Sequence, residues 1–209
     1  MSYTPEDAAW DDAYESMSQE LYPEHKERAI AEFTYERLRS YYVAHPEVLI
    51  PAAQTFKESK TLLAGGHNAA ALVFAASATE LFLKATLLRP VVYGLVHSEA
   101  MAELIVNAAL SQTGFKRYET LLSKLFLEIA DIELNSLVRE VGAKPLLKEA
   151  SDIQETRNHV LHQGQCVTSE QAKIALEITT QIFNQVLAKG LTQLDLNIEK
   201  GGLLVAQYG

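Results

Sequence analysis

The sequence predicts an all-α protein: a helical bundle with an acidic N-terminal helical extension and a short C-terminal tail or hairpin. Apolar residues recur at the three- and four-residue spacing of helices along most of the 209 residues, which is the main signature of amphipathic helices. Proline and glycine residues divide the chain into pieces of helix length. We therefore expect an extension over 1–49, a helical domain over 50–189 and a tail over 190–209.

The same spacing sets the expected elements in order. Helices are predicted roughly over residues 26–44, 51–64, 68–88, 98–110, 115–129, 132–141, 145–163 and 169–189. Pro145 suits the first turn of its helix because proline has no N–H to donate. Thr168, with Gln171 three positions later, forms a capping box for the last helix. Beyond Gly190, apolar alternation and the pair Gly201 and Gly202 predict a small hairpin or an extended tail.

The composition is typical of a soluble globular protein, with 48% hydrophobic and 22% charged residues. The single cysteine, Cys166, excludes an intramolecular disulfide and suits a reducing compartment. The first residues lack the basic and apolar regions of a signal peptide. Residues 61–79 carry no formal charge, but Gly65 and Gly66 interrupt them, so a membrane span is not expected. We therefore expect a cytoplasmic protein without a membrane partner.

The net charge of −9 weighs against a nucleic-acid partner, because phosphate binding usually relies on a basic surface. This charge is unevenly distributed along the chain. The first thirty residues hold eight acidic residues against Lys26 and Arg28, a balance of −6 that leaves −3 for the other 179 residues. The acidic extension either covers a basic cleft, binds a partner protein or is a solvated surface helix.

The helix predicted over 68–88 is apolar on almost every side, as expected of a helix at the centre of a bundle or at a subunit interface. Its only charged residues, Glu80 and Lys84, are four positions apart. They are either an exposed ion pair that stabilises the helix by about 0.3 kcal/mol, or a sign that Glu80 lines a cleft.

The helix before Thr168 has an inward apolar stripe that an arginine interrupts. Arg157 lies seven residues after Ala150, in line with this stripe. A buried guanidinium is costly unless anions or acceptors meet it. The position therefore indicates either a functional site or a buried ion pair with Glu80 or Glu155.

Arg157 and His162 do not share a face of that helix. At 100° per residue they lie about 140° apart, whereas Asn158 and His162 are four positions apart and share a face. Either the helix frays near Gly164 and lets the histidine move, or the two side chains meet across the two-fold axis of a dimer. We favour the dimer, with fraying as an aid.

A motif near the end of this helix resembles the R-x4-H motif of HEPN domains. It comprises the residues Arg157-Asn158-His159-Val160-Leu161-His162, with a polar residue directly after the arginine as in that family. The order of elements is similar as well: an alanine-rich helix with a glutamate, the motif near a helix end, a short loop and a capped last helix. The resemblance covers roughly residues 50–189 and implies a HEPN-like helical bundle.

The resemblance implies metal-independent RNA cleavage by a homodimer, without a cofactor, in toxin–antitoxin or antiviral defence. Arg157 would hold the phosphate and His162 would transfer the proton, because histidine exchanges protons near neutral pH. Attack by the ribose 2′-hydroxyl would leave a 2′,3′-cyclic phosphate. Asn158 would orient the histidine or a phosphate oxygen, with Glu80 and His159 as further supporting residues; His159 is alternatively only structural. An inhibitory protein partner, an antitoxin or a sensor, would restrain the enzyme.

The sequence departs from one subgroup of the family, in which a tyrosine two places after the histidine is modified by a partner enzyme. Here that position is Gly164, so this form of control is not expected.

The alternative function is a non-catalytic interaction or assembly subunit that binds a protein or a nucleotide, which the acidic balance favours. A metal-binding bundle that uses Glu155, His159 and His162 would need matching ligands on other helices, and the sequence offers none. Cys166 lies in a loop without a clear activating base beyond the nearby histidine. No glycine-rich phosphate loop is present in the sequence.

Overall fold

The computed structural model describes residues 32–96, 98–110 and 119–207, together with the single residues 10, 13, 16 and 17. The chain divides into two compact units, Met1–Arg37 and Leu38–Gly209. In the first unit, residues 32–37 are helical. The eight acidic residues among the first thirty, and the predicted helix start at residue 26, lie outside the described residues.

The second unit is mostly helical. Its α-helices are α1 (38–44), α2 (Ile50–Ala64), α3 (Asn68–Leu83), α4 (Arg89–Leu95), α5 (Glu99–Leu110), α6 (Glu119–Ala130), α7 (Leu146–Gln163), α8 (Ser169–Gln181) and α9 (Lys189–Gln193). Two π-helical segments, π1 (Lys84–Leu88) and π2 (Ile182–Ala188), directly follow α3 and α8. Strands β1 (Leu196–Ile198) and β2 (Leu204–Ala206) pair antiparallel as a hairpin. The predicted all-α class and the C-terminal hairpin are therefore confirmed.

Most predicted helices of this unit are found close to their predicted ends. Those over 51–64, 98–110 and 145–163 begin or end within one residue of the observed bounds. The two long helices over 68–88 and 169–189 instead change from α to π geometry before their ends. The capping box of the last helix is present, with Thr168 accepting from the Gln171 backbone N–H at 3.2 Å and donating its own N–H to the Gln171 side chain at 2.9 Å.

The helix predicted over 132–141 is wrong. That segment contains only a 3-10 turn over Leu134–Ser136. The following residues form a turn, closed by an isolated antiparallel bridge between Val138 and Pro145. The backbone N–H of Leu146 also donates to the Leu137 carbonyl at 2.7 Å. These non-local hydrogen bonds replace the local ones that a helix would need.

Helix α3 occupies the centre of the bundle, where it packs against α2, α7 and α8. It runs parallel to α8 and to π2, which continues α8. Thr79 contacts Thr179, and further along both helices Phe82 contacts Phe183. A short loop joins α7 to α8, so α7 runs antiparallel to α3. The stretch Asn68–Gly94 is long and apolar enough to cross a membrane, but 67% of its most apolar window is buried, as in the core helix of a bundle.

Small residues allow the central helices to approach closely. Ala71 and Ala75 of α3 are fully buried, and hydroxyl groups from neighbouring helices bond to their carbonyls. Ser59 of α2 donates to the Ala71 carbonyl at 2.8 Å, and Thr179 of α8 lies 3.1 Å from the Ala75 carbonyl. The buried hydroxyls are therefore satisfied inside the core.

A tyrosine of α1 anchors the π1 segment. Tyr42 is 2% exposed, and its hydroxyl donates to the backbone carbonyl of Thr86, in the middle of π1. A π turn shifts backbone groups out of the α-helical register, and this hydrogen bond satisfies one of the displaced carbonyls. The position of π1 therefore depends on α1.

Replacing Tyr42 by phenylalanine tests this anchor. The change keeps the ring but leaves the buried Thr86 carbonyl without its donor, so we expect the free energy of unfolding to fall by about 1–2 kcal/mol in chemical denaturation. Tyr41→Phe is the matched control, because the Tyr41 hydroxyl has no hydrogen bond among the described residues; its effect should stay below about 0.5 kcal/mol. Equal losses in the two variants would contradict the anchor.

The alkaline pH dependence of the same variant has a defined sign. Burial raises the pKa of Tyr42 far above its ordinary value of 10.0. The unfolded chain therefore loses this proton near pH 10 while the folded chain keeps it. The stabilisation that the raised pKa of Tyr42 reflects is complete below pH 10 and is lost as the pH rises above 10. We expect the stability difference between wild type and Tyr42→Phe to shrink by about 1 kcal/mol from pH 10 to about pH 11.

Candidate active site

Helix α7 remains regular up to its last residue, Gln163. Gly164 ends the helix in a left-handed conformation (φ +67°), which glycine adopts without strain. Its N–H donates to the Val160 carbonyl at 3.2 Å. The fraying near Gly164 that the sequence left open is not found, and His162 lies in the closed last turn of α7.

A cavity of about 410 Å³ lies beside the middle of α7. It is enclosed by α3, π1, α4, α5 and α7, and each of these elements contributes at least one polar side chain. The polar lining residues are Ser77, Glu80, Lys84, Arg89, Asn107 and Arg157. Two residues identified from the sequence, Glu80 and Arg157, therefore line the same cavity.

Glu80 is held in place by two side chains. Its Oε1 accepts a hydrogen bond from Lys84 Nζ at 2.8 Å, and its Oε2 accepts one from Gln154 Nε2 at 3.1 Å. The Glu80 and Lys84 side chains are only 20% and 11% exposed. The ion pair predicted from the i,i+4 spacing is therefore present. The prediction that it is exposed is wrong, and Glu80 instead lines a cavity, as the alternative interpretation expected.

Arg157 reaches the cavity without a carboxylate partner. The side chain is half-buried and forms no ion pair with Glu80, Glu155 or any other described residue. Its Nη1 donates to the Asn158 side-chain oxygen at 3.3 Å, while its buried Nε has no hydrogen-bond partner in the described part of the chain. The buried ion pair considered from the sequence is therefore wrong for Arg157.

The charges around the cavity are unbalanced. Lys84, Arg89 and Arg157 contribute three positive charges, against the single carboxylate of Glu80. Lys84 compensates Glu80, and the Arg89 guanidinium lies over the Tyr93 ring, 5.5 Å from its centre. The cavity therefore has an excess of positive charge, which attracts anions.

The two histidines of the motif do not line this cavity. His162 is exposed in the last turn of α7, and His159 is half-buried. Because the helix is regular, His162 points about 140° away from Arg157 around the helix axis. Within one chain, the structure brings Arg157 together with Glu80 and Asn158, but not with His162.

Arg89 and Asn107 were not expected at the site from the sequence, and Lys84 was expected only as a partner of Glu80. Lys84 and Arg89 are five positions apart, which places them on different sides of a regular α-helix. In the structure, the Arg89 N–H donates to the Lys84 carbonyl in a π-type bond, and both side chains reach the cavity. The only signal in the sequence is the adjacent Pro90, which indicates a change of helix geometry.

Metal ligands do not cluster in the described part of the chain, where no group of three His, Cys, Asp or Glu side chains could hold a metal ion. The described residues include Glu155, His159 and His162, the alternative metal ligands considered from the sequence.

Comparison with known proteins gives no match to a family model, a curated protein or a solved structure. The resemblance to HEPN domains rests on the motif and on the order of elements.

Replacing Glu80 by alanine tests its structural role at the cavity. The change removes an ion-pair partner of Lys84 and the acceptor of Gln154, which is 8% exposed. We expect the free energy of unfolding to fall by about 1–3 kcal/mol, because the buried Gln154 amide loses its acceptor and an ion pair is lost. Glu155→Ala, on the exposed side of α7, is the control and should change it by less than about 0.5 kcal/mol. Chemical denaturation of both variants measures the difference, and a neutral Glu80→Ala would contradict this role.

Proposed function

We propose that this chain is a metal-independent endoribonuclease of the HEPN type, which acts as a homodimer on a phosphodiester held by Arg157. The observation that carries this proposal is the state of Arg157: half-buried, directed into a cationic cavity and without a carboxylate partner. A guanidinium in this state has donors available for an anion, and its planar shape suits two oxygens of a phosphate.

The rest of the cavity supports a phosphate ligand. Lys84 of π1 and Arg89 of α4 add positive charge, and Ser77 and Asn107 add hydrogen-bonding groups. Lys84 is buried in the lining, so its attraction to a phosphate would be stronger than that of a fully solvated lysine. This local excess of positive charge answers the objection raised by the net charge of −9.

His162 would carry out the proton transfer. As a base it would take the proton of the ribose 2′-hydroxyl, whose oxygen attacks the phosphorus while the bond to the 5′-oxygen breaks. The products would be a 2′,3′-cyclic phosphate and a free 5′-hydroxyl, which receives a proton. Arg157 would stabilise the negative charge that develops on the phosphate oxygens.

A second copy of the chain would bring the histidine to the phosphate, since His162 lies off the cavity of its own chain. His162 and its neighbour Leu161 are exposed at the end of α7, with Leu161 52% exposed. Because α3 runs antiparallel to α7, the first half of α3 lies toward the same end of the bundle. It carries Phe74, which is 38% exposed. These exposed apolar side chains favour contact with another molecule at this end.

The biological setting that we propose is toxin–antitoxin or antiviral defence in the cytoplasm, with an inhibitory protein partner. An unrestrained ribonuclease damages its own cell, so a partner that covers the cavity or separates the two copies would be needed.

A second candidate function is a non-catalytic subunit that binds a nucleotide or a protein. The separation of His162 from Arg157 within one chain favours this function. The cavity of a single chain would bind an anion, but its lining contains no histidine to transfer protons. In this case Arg157 would bind a phosphate or an acidic side chain of the partner.

Cleavage of a mixed-sequence RNA in EDTA tests the first proposal. We expect wild type to leave cyclic-phosphate ends, and Arg157→Ala and His162→Ala to lose about 10²-fold or more in rate, because each removes a group of the transition state. His45→Ala, at an exposed histidine between α1 and α2 that lines neither the cavity nor the proposed dimer contact, is the control and should keep wild-type activity. End-group analysis of the products measures the reaction.

Different outcomes separate the two functions. EDTA-resistant cleavage that survives both substitutions would show that this site is not responsible. Absence of cleavage, together with RNA or nucleotide binding that Arg157→Ala abolishes and His162→Ala leaves intact, would favour the non-catalytic subunit.

Mixing the two inactive variants tests whether Arg157 and His162 act from different copies. A heterodimer of Arg157→Ala with His162→Ala retains one site with an intact arginine from one chain and an intact histidine from the other. We expect an equimolar mixture, after exchange of subunits, to recover about a quarter of wild-type activity, because half of the dimers carry one intact site of two. Activity that stays at the level of the single variants would contradict the two-chain arrangement.

A further inference from the structure

A second and larger cavity lies on another side of the bundle. Its volume is about 640 Å³, and it is lined by α2, α3, α8, π2, α9 and the β1–β2 hairpin. It shares no lining residue with the cavity at Arg157. Its size falls in the range of about 300–1,000 Å³ typical of small-molecule sites.

Three lysines surround this cavity. Lys57 and Lys60 come from α2 and Lys200 from the hairpin turn, against the single carboxylate of Glu199. None of the three lysines forms an ion pair with a carboxylate in the described part of the chain. The Lys60 ammonium instead lies 4.0 Å from the centre of the Phe56 ring. In a chain of net charge −9, this concentration of uncompensated positive charge indicates a site for an anion.

The floor of the cavity is apolar. Three phenylalanine rings pack there in sequence, with Phe82 6.1 Å from Phe56 and 5.5 Å from Phe183 between ring centres. Phe183 is only half-buried, so part of its surface faces the cavity. Beside it, the exposed amide of Asn184 makes no hydrogen bond with any described residue. A ligand with an apolar body would cover the ring and could bond to this amide.

The backbone around the cavity is unusual in two places. Phe183 and Asn184 belong to π2, and π-helical turns within α-helices are often retained at functional sites. On the other wall, Gly202 has φ +92° and lies so close to α2 that an added Cβ would come within 2.9 Å of the Ala53 Cβ. This close approach brings the hairpin turn, with Lys200, to the edge of the cavity.

We propose that this cavity binds a small amphipathic anion: an organic molecule with an apolar body against Phe183 and a phosphate or carboxylate group among Lys57, Lys60 and Lys200. The site is independent of RNA cleavage at Arg157, since neither its lysines nor its rings take part in that reaction. A nucleoside monophosphate and an acyl carboxylate share this chemistry.

Anilinonaphthalene sulfonate tests the proposal, because it is itself a small amphipathic anion that fluoresces when an apolar site takes it up. We expect the folded wild type to bind one molecule, and the double variant Lys57→Ala/Lys60→Ala to bind it about tenfold more weakly or worse, because two charge contacts are lost. Lys124→Ala/Lys173→Ala is the matched control: both lysines are exposed, line neither cavity and carry the same change in charge. It should bind the dye as wild type does.

Competition then distinguishes the two natural sources. The competition is measured in an Arg157→Ala background, so that the first cavity does not contribute. Displacement by adenosine monophosphate but not by decanoate then identifies a nucleotide site, and the reverse identifies an acyl site; displacement by both supports the shared chemistry. Three results would overturn the proposal: no dye binding by the folded wild type, equal binding by the two double variants, or no displacement by either competitor. Circular dichroism of each variant establishes that it is folded.

Discussion

The burial of α3 is the constraint on which the other features of this structure depend. The helix is enclosed by α2, α7 and α8, and its alanines at positions 71, 75, 76 and 78 are fully buried. Such small side chains bring neighbouring backbones close together, so that Ser59 and Thr179 reach carbonyl oxygens of α3 directly. A charged residue can occur on this helix only where the neighbouring helices leave it partly open. The helix is partly open at Glu80. The centre of the bundle thus determines where polar chemistry can begin.

Glu80 connects this core to the cavity. Its two oxygens bond to Gln154 of α7 and to Lys84 at the start of π1, which fixes the positions of both elements relative to α3. Arg157 lies about one turn beyond Gln154 on α7 and is therefore positioned by its helix, without an ion pair of its own. A partner carboxylate would have occupied the guanidinium; here the carboxylate is compensated by Lys84, which leaves Arg157 available to a ligand.

The elements that local sequence patterns determine were predicted correctly from the sequence. The bounds of α2, α5 and α7, the capping box at Thr168 and the angle between Arg157 and His162 all follow from spacing along one helix. The prediction failed where distant contacts decide: residues 137–145 form a loop closed by the pairing of Val138 with Pro145, and not a helix. Likewise, Arg89 joins the cavity through a π turn, which periodicity based on 3.6 residues per turn does not anticipate. Half of the charged lining of the cavity was therefore visible from the sequence.

The two π segments have a common position that explains why each borders a cavity. Helices α3 and α8 run parallel and meet at Thr79 and Thr179; π1 begins five residues beyond the first and π2 three residues beyond the second. One extra residue in a turn rotates everything that follows by about 100°. Beyond this level, α4 and α9 therefore turn different faces to the bundle than straight continuations of α3 and α8 would. The space left at these two places is lined by side chains within the π turns or directly after them: Arg89 at the first, and Phe183 with Asn184 at the second.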